Sequence, residues 1–242
     1  MDSKKNGYLL LLGIEAAAGQ DPVQAGYERN PGAVDAKAAL TCFGSVGSGT
    51  TERSNASADV MRGWFRGSNP IGQFKSRQAT IKGWVQEHQL TLNRYGQWQK
   101  LPFEDWGYGK PGSPPCIAMA FAHQLHVADG FVQSPDLGVD RLETDMEAWR
   151  IVLSQARTLP VKMLALQAIN DDIAVASGLL VQSDFESTHL GRVTKLLRPL
   201  DQGELLLRWP MQSELVAASN TYEEQLKAAQ AEDQAAFYNS GL

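Results

Sequence analysis

The chain has 242 residues, enough for one large domain or two small ones with a sizeable core. Hydrophobic residues make up 43% and charged residues 20%, proportions that exclude wholesale disorder. A net charge of −5 and a pI near 5.4 argue against a nucleic-acid partner, which requires a basic face. The basic and aromatic stretch from Met61 to Gly67 is too short to reverse that balance.

The N-terminus carries Lys4 and Lys5, then an apolar run from Tyr8 to Ile14 and the small residues Ala16 to Ala18. This has the outline of a signal peptide, but the run is short and Glu15 interrupts the approach to a cleavage site, so a short buried helix or strand is expected. Asp21-Pro22 offers an N-cap with proline at the first helical position, predicting a short helix through Tyr27 that Asn30-Pro31-Gly32 ends. The Gly-, Ser- and Thr-rich segment 44–51 reads as a loop. It is no phosphate-binding loop, since no Lys follows its glycines and no strand leads into it. Residues 1–75 thus form a loop-rich N-terminal segment packed on a helical body spanning 76–242, one domain in all.

From Ser76, Ile81, Trp84, Val85, His88, Leu92 and Tyr95 make one apolar helical stripe. The aromatic, Gly/Pro-rich connection 101–115 packs its rings on neighbouring helices or forms a binding lip. A helix from Pro114 or Pro115 to about Ala128 turns Ile117, Phe121, Leu125 and Ala128 inward, and Gly130 and Pro135 punctuate its end. In the next helix Val139, Leu142, Met146, Trp149 and Leu153 face the core, while Asp140, Arg141, Glu143 and Asp145 face water. Pro160 opens a helix with two apolar faces, Met163/Leu166/Ile169/Ile173/Ala176/Leu180 and Val161/Leu164/Ala168/Val175, which places it centrally. Asp184 caps a shorter helix to Leu197. Helix resumes beyond Gly203, with a break expected at Trp209-Pro210, and turns polar and Ala-rich from Glu223 to Ala236. No run reaches the roughly 18 apolar residues needed to span a bilayer. Strand-like alternation is scarce and no repeat period emerges, so the fold class is all-α, an irregular multi-helix bundle.

Candidate chemistry is sparse. His123 and His126 lie three apart on one helix face with Asp129 a turn on, a spacing that could hold a transition metal in a hydrolase. The set lacks the general base of an H-E-x-x-H helix and no distant Glu or His is marked as a further ligand, so packed or solvated histidines are the favoured reading. His88 reads as a core or boundary residue and His189 as exposed near a helix start. No nucleophile elbow is present. Of the carboxylate pairs, Asp171/Asp172 interrupt the most apolar helix, and because adjacent residues diverge by about 100° at most one should face inward. No cofactor or metal is expected. Cys42 and Cys116, 74 positions apart, allow either one disulfide or two buried thiols.

Four phrases, Asn6-Gly-Tyr-Leu-Leu-Leu-Leu-Gly-Ile-Glu15, Leu92-Asn-Arg-Tyr95, Phe103-Glu-Asp-Trp-Gly-Tyr-Gly109 and Trp149-Arg150 leading to Lys162-Met163, together resemble uncharacterised helical proteins of proteobacterial cell envelopes tethered by an N-terminal membrane helix. The resemblance spans most of the chain and implies no reaction. It tilts the setting towards the periplasm or the periplasmic face of the inner membrane, with the cytoplasm as the alternative, and with the periplasm it implies the disulfide; the chain departs from the pattern in lacking the membrane helix. The resulting expectation is a non-catalytic protein whose partner is another protein, as an inhibitor or an immunity-type antagonist of a secreted toxin would be. The aromatic residues Trp64, Phe65, Trp106 and Tyr108 are its candidate anchors. The alternatives are the metal-dependent hydrolase and a structural subunit of an envelope assembly.

Overall fold

The computed structural model describes residues 5–29, 51–107, 115–181 and 187–239. They are all-α, with no β-strand among them. The helices are α1 (Gly7–Leu12), α2 (Pro22–Arg29), α3 (Thr51–Phe65), α4 (Pro70–Ser76), α5 (Gln78–Glu87), α6 (Gln89–Trp98), α7 (Cys116–Gln133), α8 (Pro135–Gln155), α9 (Leu159–Leu180), α10 (Ser187–Leu196), α11 (Gln202–Leu205) and α12 (Arg208–Asn239).

The N-terminal apolar run is the short buried helix α1, every residue of which is buried. Asn6 caps it, accepting from the Tyr8 N–H at 2.9 Å and exchanging two further hydrogen bonds with the backbone of Glu104. Tyr8 to Leu12 and Ile14 are thereby sealed into the main core. Helix α2 crosses α1 so closely that a Cβ at Gly13 would lie 1.8 Å from the Pro22 carbonyl oxygen, and one at Gly26 1.8 Å from that of Leu9. The turn between these helices leaves carbonyls of residues 14–20 without helical donors. Arg94 of α6, only 4% exposed, donates to four of them, those of Ile14, Ala16, Ala17 and Gln20.

The predicted helix from Ser76 to Tyr95 is in fact two, α5 and α6, joined at His88, whose φ of −105° and ψ of 21° break the α-helical path. Ile81 and Tyr95 of the stripe are fully buried, whereas Trp84, Val85 and Leu92 pack at its margin.

Helix α7 is the hub: α3, α4, α5, α6, α8 and α9 all pack on it, and it extends to Gln133, beyond the expected stop. Ser134 ends α7 and caps α8, accepting from the Leu137 N–H at 3.1 Å, with Pro135 in the first turn. The expected core stripe of α8, from Val139 to Leu153, is buried throughout, but Asp145 is not in water; it is fully buried. On α9 the face of Val161, Leu164, Ala168 and Val175 is buried throughout, and of the other face Ile169 and Ala176 are buried while Met163 and Leu180 are exposed. Helix α9 is also long and apolar enough, by length and composition, to cross a membrane, contrary to the sequence expectation. Packing against α7, α8, α4 and α3 accounts for that composition.

Buried charge fixes the ends of α8 and α9. The Asp105 carboxylate accepts from the N–H groups of Gly107, Arg157 and Thr158, tying the connection after α6 to the start of α9. Arg150 grips Glu204 of α11 through both carboxylate oxygens at 2.9 and 3.0 Å, and Lys162 donates to the carbonyls of Leu153 and Glu204. Asp201 and Glu204 form a capping box that starts α11. The expected break at Trp209-Pro210 falls earlier, at Leu206 and Leu207, because Pro210 sits in the first turn of α12, where a missing N–H costs nothing. From there α12 runs unbroken for 32 residues.

Gly26→Ala should cost at least about 2 kcal/mol in urea denaturation, because its methyl group meets backbone rather than a side chain that can move. Gly83→Ala, with nothing within 4 Å of the added carbon, should leave stability unchanged or raise it by up to about 1 kcal/mol.

Candidate functional site

Three neighbouring helices each send a titratable side chain to one point in the core: His123 from α7, Asp145 from α8 and Asp172 from α9, all 0% exposed. Tyr95 reaches the same point from α6. Asp145 is the centre. Its Oδ2 lies 2.6 Å from His123 Nδ1, and its Oδ1 accepts from the Tyr95 hydroxyl at 2.5 Å and from Gln99 Nε2 at 2.8 Å. Trp149 Nε1 in turn donates to the Tyr95 oxygen at 2.8 Å. Asp171 is buried beside this group. It accepts from Gln124 at 2.6 Å and Gln167 at 2.8 Å, and lies 3.9 Å from His123 Nε2.

The sequence expectation that only one of Asp171 and Asp172 faces inward is wrong. The two side chains do diverge by about 100°, but α9 is packed on more than one side, so both directions lead into protein. Asp172 has the harder environment. Neither of its oxygens has a hydrogen-bond donor in reach, and neither does His123 Nε2. Its polar neighbour is another carboxylate, Asp145, and two carboxylates can bond only through a shared proton. Burial, then the charges of Asp145 and Asp171, hold the Asp172 carboxyl well above the usual carboxylate range. Burial, then the Asp145 charge, holds the Tyr95 phenol neutral well above its ordinary range. For His123, burial opposes the imidazolium, but the charge and hydrogen bond of Asp145 and the charge of Asp171 outweigh it and raise its pKa.

The hydrolase set does not assemble. His123 turns to Asp145; His126 packs on the Tyr95 ring at 5.5 Å; Asp129 binds Arg141 at 2.7 Å and Gln133 at 2.6 Å. A shared face along α7 is not enough, because α6 and α8 draw the three side chains to separate partners. His88 sits at the boundary, edge-on to Phe121. His189, expected to be exposed, is 7% exposed, with Nε2 2.9 Å from Asp136. Cys116, buried at the start of α7, is disulfide-bonded; Cys42 lies outside the described residues.

The aromatic anchors fare differently. Trp64 is largely buried, stacked on Trp84 at 5.3 Å with Arg77 over its ring, and Phe65 is fully buried against Phe74 and His123. Both are core residues and not presented to a partner. Trp106 is half-buried, edge-on to Tyr27, and Tyr108 lies outside the described residues.

Exposed apolar surface lies elsewhere, on α12. Among its described side chains Met211, Leu215, Tyr222 and Leu226 are 55%, 68%, 69% and 61% exposed. At 100° per residue these four fall within an arc of about 60°, a stripe about 22 Å long. Trp209 and the preceding Leu205 to Leu207 are also exposed. Pro210 is buried and Ser213 and Glu214 half-buried, so the start of the helix is seated on the body and the described residues from Leu215 to Ala231 are exposed. The sequence does contain this stripe, at spacings of four, seven and four, but the Ala- and Gln-rich background masks it.

No protein-family model matches the chain, and no curated protein or solved structure is significantly similar to it.

Burial, with the nearby charges of Arg141 and His123, lowers His126 to about 4 despite the opposing pull of Asp145 and Asp129. His126 is therefore neutral in the folded protein down to about pH 4, while in the unfolded chain it gains a proton near pH 6.5. Its contribution is fully present above pH 6.5 and is lost as pH falls towards 4. Compared with His126→Gln, the wild type should lose about 2–3 kcal/mol more between pH 7 and pH 4 in denaturant titrations. Parallel curves for the two proteins would contradict this account.

Proposed function

We propose that this is a non-catalytic protein of the bacterial cell envelope that binds another protein through the projecting helix α12. The observation that carries the reading is the stripe Met211–Leu215–Tyr222–Leu226, exposed on a helix that leaves the body. Side chains spaced this way on one face supply the anchors by which a helix lies in an apolar groove. Each such side chain contributes about 1.5–3 kcal/mol when fully buried, so four are enough for a specific complex once the cost of association is met. The partner in this reading is a protein with an apolar groove, as a secreted toxin held by its antagonist would be. The disulfide at Cys116 supports an oxidising compartment such as the periplasm. The buried His–Asp group does not favour an enzyme, since no substrate atom can reach side chains that are 0% exposed.

The triple substitution Leu215→Glu/Tyr222→Glu/Leu226→Glu removes the stripe without touching the body. Affinity capture from native envelopes, quantified by mass spectrometry, should recover one dominant protein near 1:1 with the wild type. With the variant recovery should fall at least tenfold while the melting temperature stays unchanged, since loss of two or three such anchors exceeds 1.4 kcal/mol. Equal recovery with both proteins, or a wild type that merely dimerises through the stripe in sedimentation, would overturn the reading.

A further inference from the structure

The group around Asp145 is short of positive charge. Asp145, Asp171 and Asp172 are 0%, 3% and 0% exposed. Among the described residues no Lys or Arg nitrogen lies within the 4.0 Å of an ion pair of any of the three; their only cationic contact is His123. Asp171 is satisfied by two glutamine amides and Asp145 by Tyr95, Gln99 and His123. Asp172 has no donor: both of its oxygens, like His123 Nε2, are buried without a hydrogen-bond partner, and the neighbouring Asp145 carboxylate can bond it only through a shared proton. A buried polar atom left in that state costs about 1–3 kcal/mol, and more when charged. Three such atoms on two buried side chains beside Asp145 are of the kind that a bound cation satisfies.

We propose that His123, Asp145 and Asp172 are the protein ligands of a divalent first-row transition cation of the zinc class, held as a structural ion between α7, α8 and α9. One donor atom from each residue lies within 4.8 Å of the other two. Around a tetrahedral ion, ligand bonds of about 2.0–2.2 Å place the donors about 3.3–3.6 Å apart, so binding draws the widest pair together by up to about 1.5 Å. One imidazole and two carboxylates suit Zn²⁺ and Mn²⁺ better than the all-oxygen shell Ca²⁺ takes. The ion's two positive charges balance Asp145 and Asp172, and Asp171 keeps its glutamine donors. Tyr95 and Gln99 on Asp145 then act as the outer hydrogen bonds that fix a ligating carboxylate. Drawing its ligands from three facing helices, the site lies where helical bundles build their metal centres. Because it is closed to solvent, the ion enters as the chain folds, and its binding energy adds directly to stability.

The test is refolding of the full-length, disulfide-intact protein from guanidinium after chelation, with Zn²⁺, Mn²⁺ or Co²⁺ present. Bound metal is measured after gel filtration, and the Co²⁺ form is read by its visible absorption. The wild type should retain about one equivalent and melt several degrees higher than the chelated protein. Asp172→Asn and His123→Gln should retain less than about a tenth of an equivalent and show no metal-dependent shift. A wild type that takes up none of the three ions overturns the proposal. In that case Asp172 is a buried carboxylic acid, and Asp172→Asn melts at or above the wild-type temperature. Equal uptake by the wild type and Asp172→Asn overturns it as well. Should either variant fail to fold, the metal content of the wild type alone decides.

Discussion

The Asp145 carboxylate is the constraint around which the helical body is organised. A carboxylate in a core built of Leu, Val, Phe and Trp is tolerated only when its lone pairs are met. Here they are met by Tyr95, Gln99 and His123, contributed by α6, by its C-terminal end and by α7. Trp149 completes the arrangement by donating to the Tyr95 oxygen. Apolar packing alone leaves helices free to slide by small amounts. Short hydrogen bonds to one fixed carboxylate do not, so the group fixes the register of α6 and α7 against α8. Asp171 and Asp172 bring α9 into the same arrangement.

The edges of the body follow the same physical rule. At three of the described connections a charged side chain meets the backbone groups left over. Arg94 takes the carbonyls of the turn after α1, Asp105 takes the N–H groups ahead of α9, and Lys162 with Arg150 anchors α11 through Glu204. Each of these ions is itself buried, and each would be costly without its partners. They convert irregular connections into fixed ones, which is why the short helices α1 and α11 persist although neither is long enough to be stable alone.

Helix α12 stands apart from this scheme. After its first turns it contributes no described side chain to the core, and its apolar stripe faces outward. Among the described residues, the core is built without α12 beyond its first turns. The core's own peculiarity, three buried acids against one histidine, belongs to the fold and not to the surface.

Helical periodicity by itself determined the fold class, because apolar stripes such as Val139 to Leu153 repeat at the spacing of one helix face. Local chemistry determined the start of α2 from Asp21-Pro22 and the buried nature of the run after Asn6 in the same way. What periodicity cannot report is what lies opposite a polar residue. Asp145 on a solvent-facing pattern, Asp171 and Asp172 in an apolar helix, and Arg94 between stripe positions all look like surface residues, since a sequence carries each helix's own faces but not its neighbours. Trp64 and Phe65 mislead for the converse reason: expected to be anchors for a partner, they lie at the end of a helix with their rings against α4, α5 and α7. Burial from more than one side, the meeting of His123 with Asp145 and Asp172, and the freedom of α12 are properties of packing between distant elements, and only the tertiary structure could decide them.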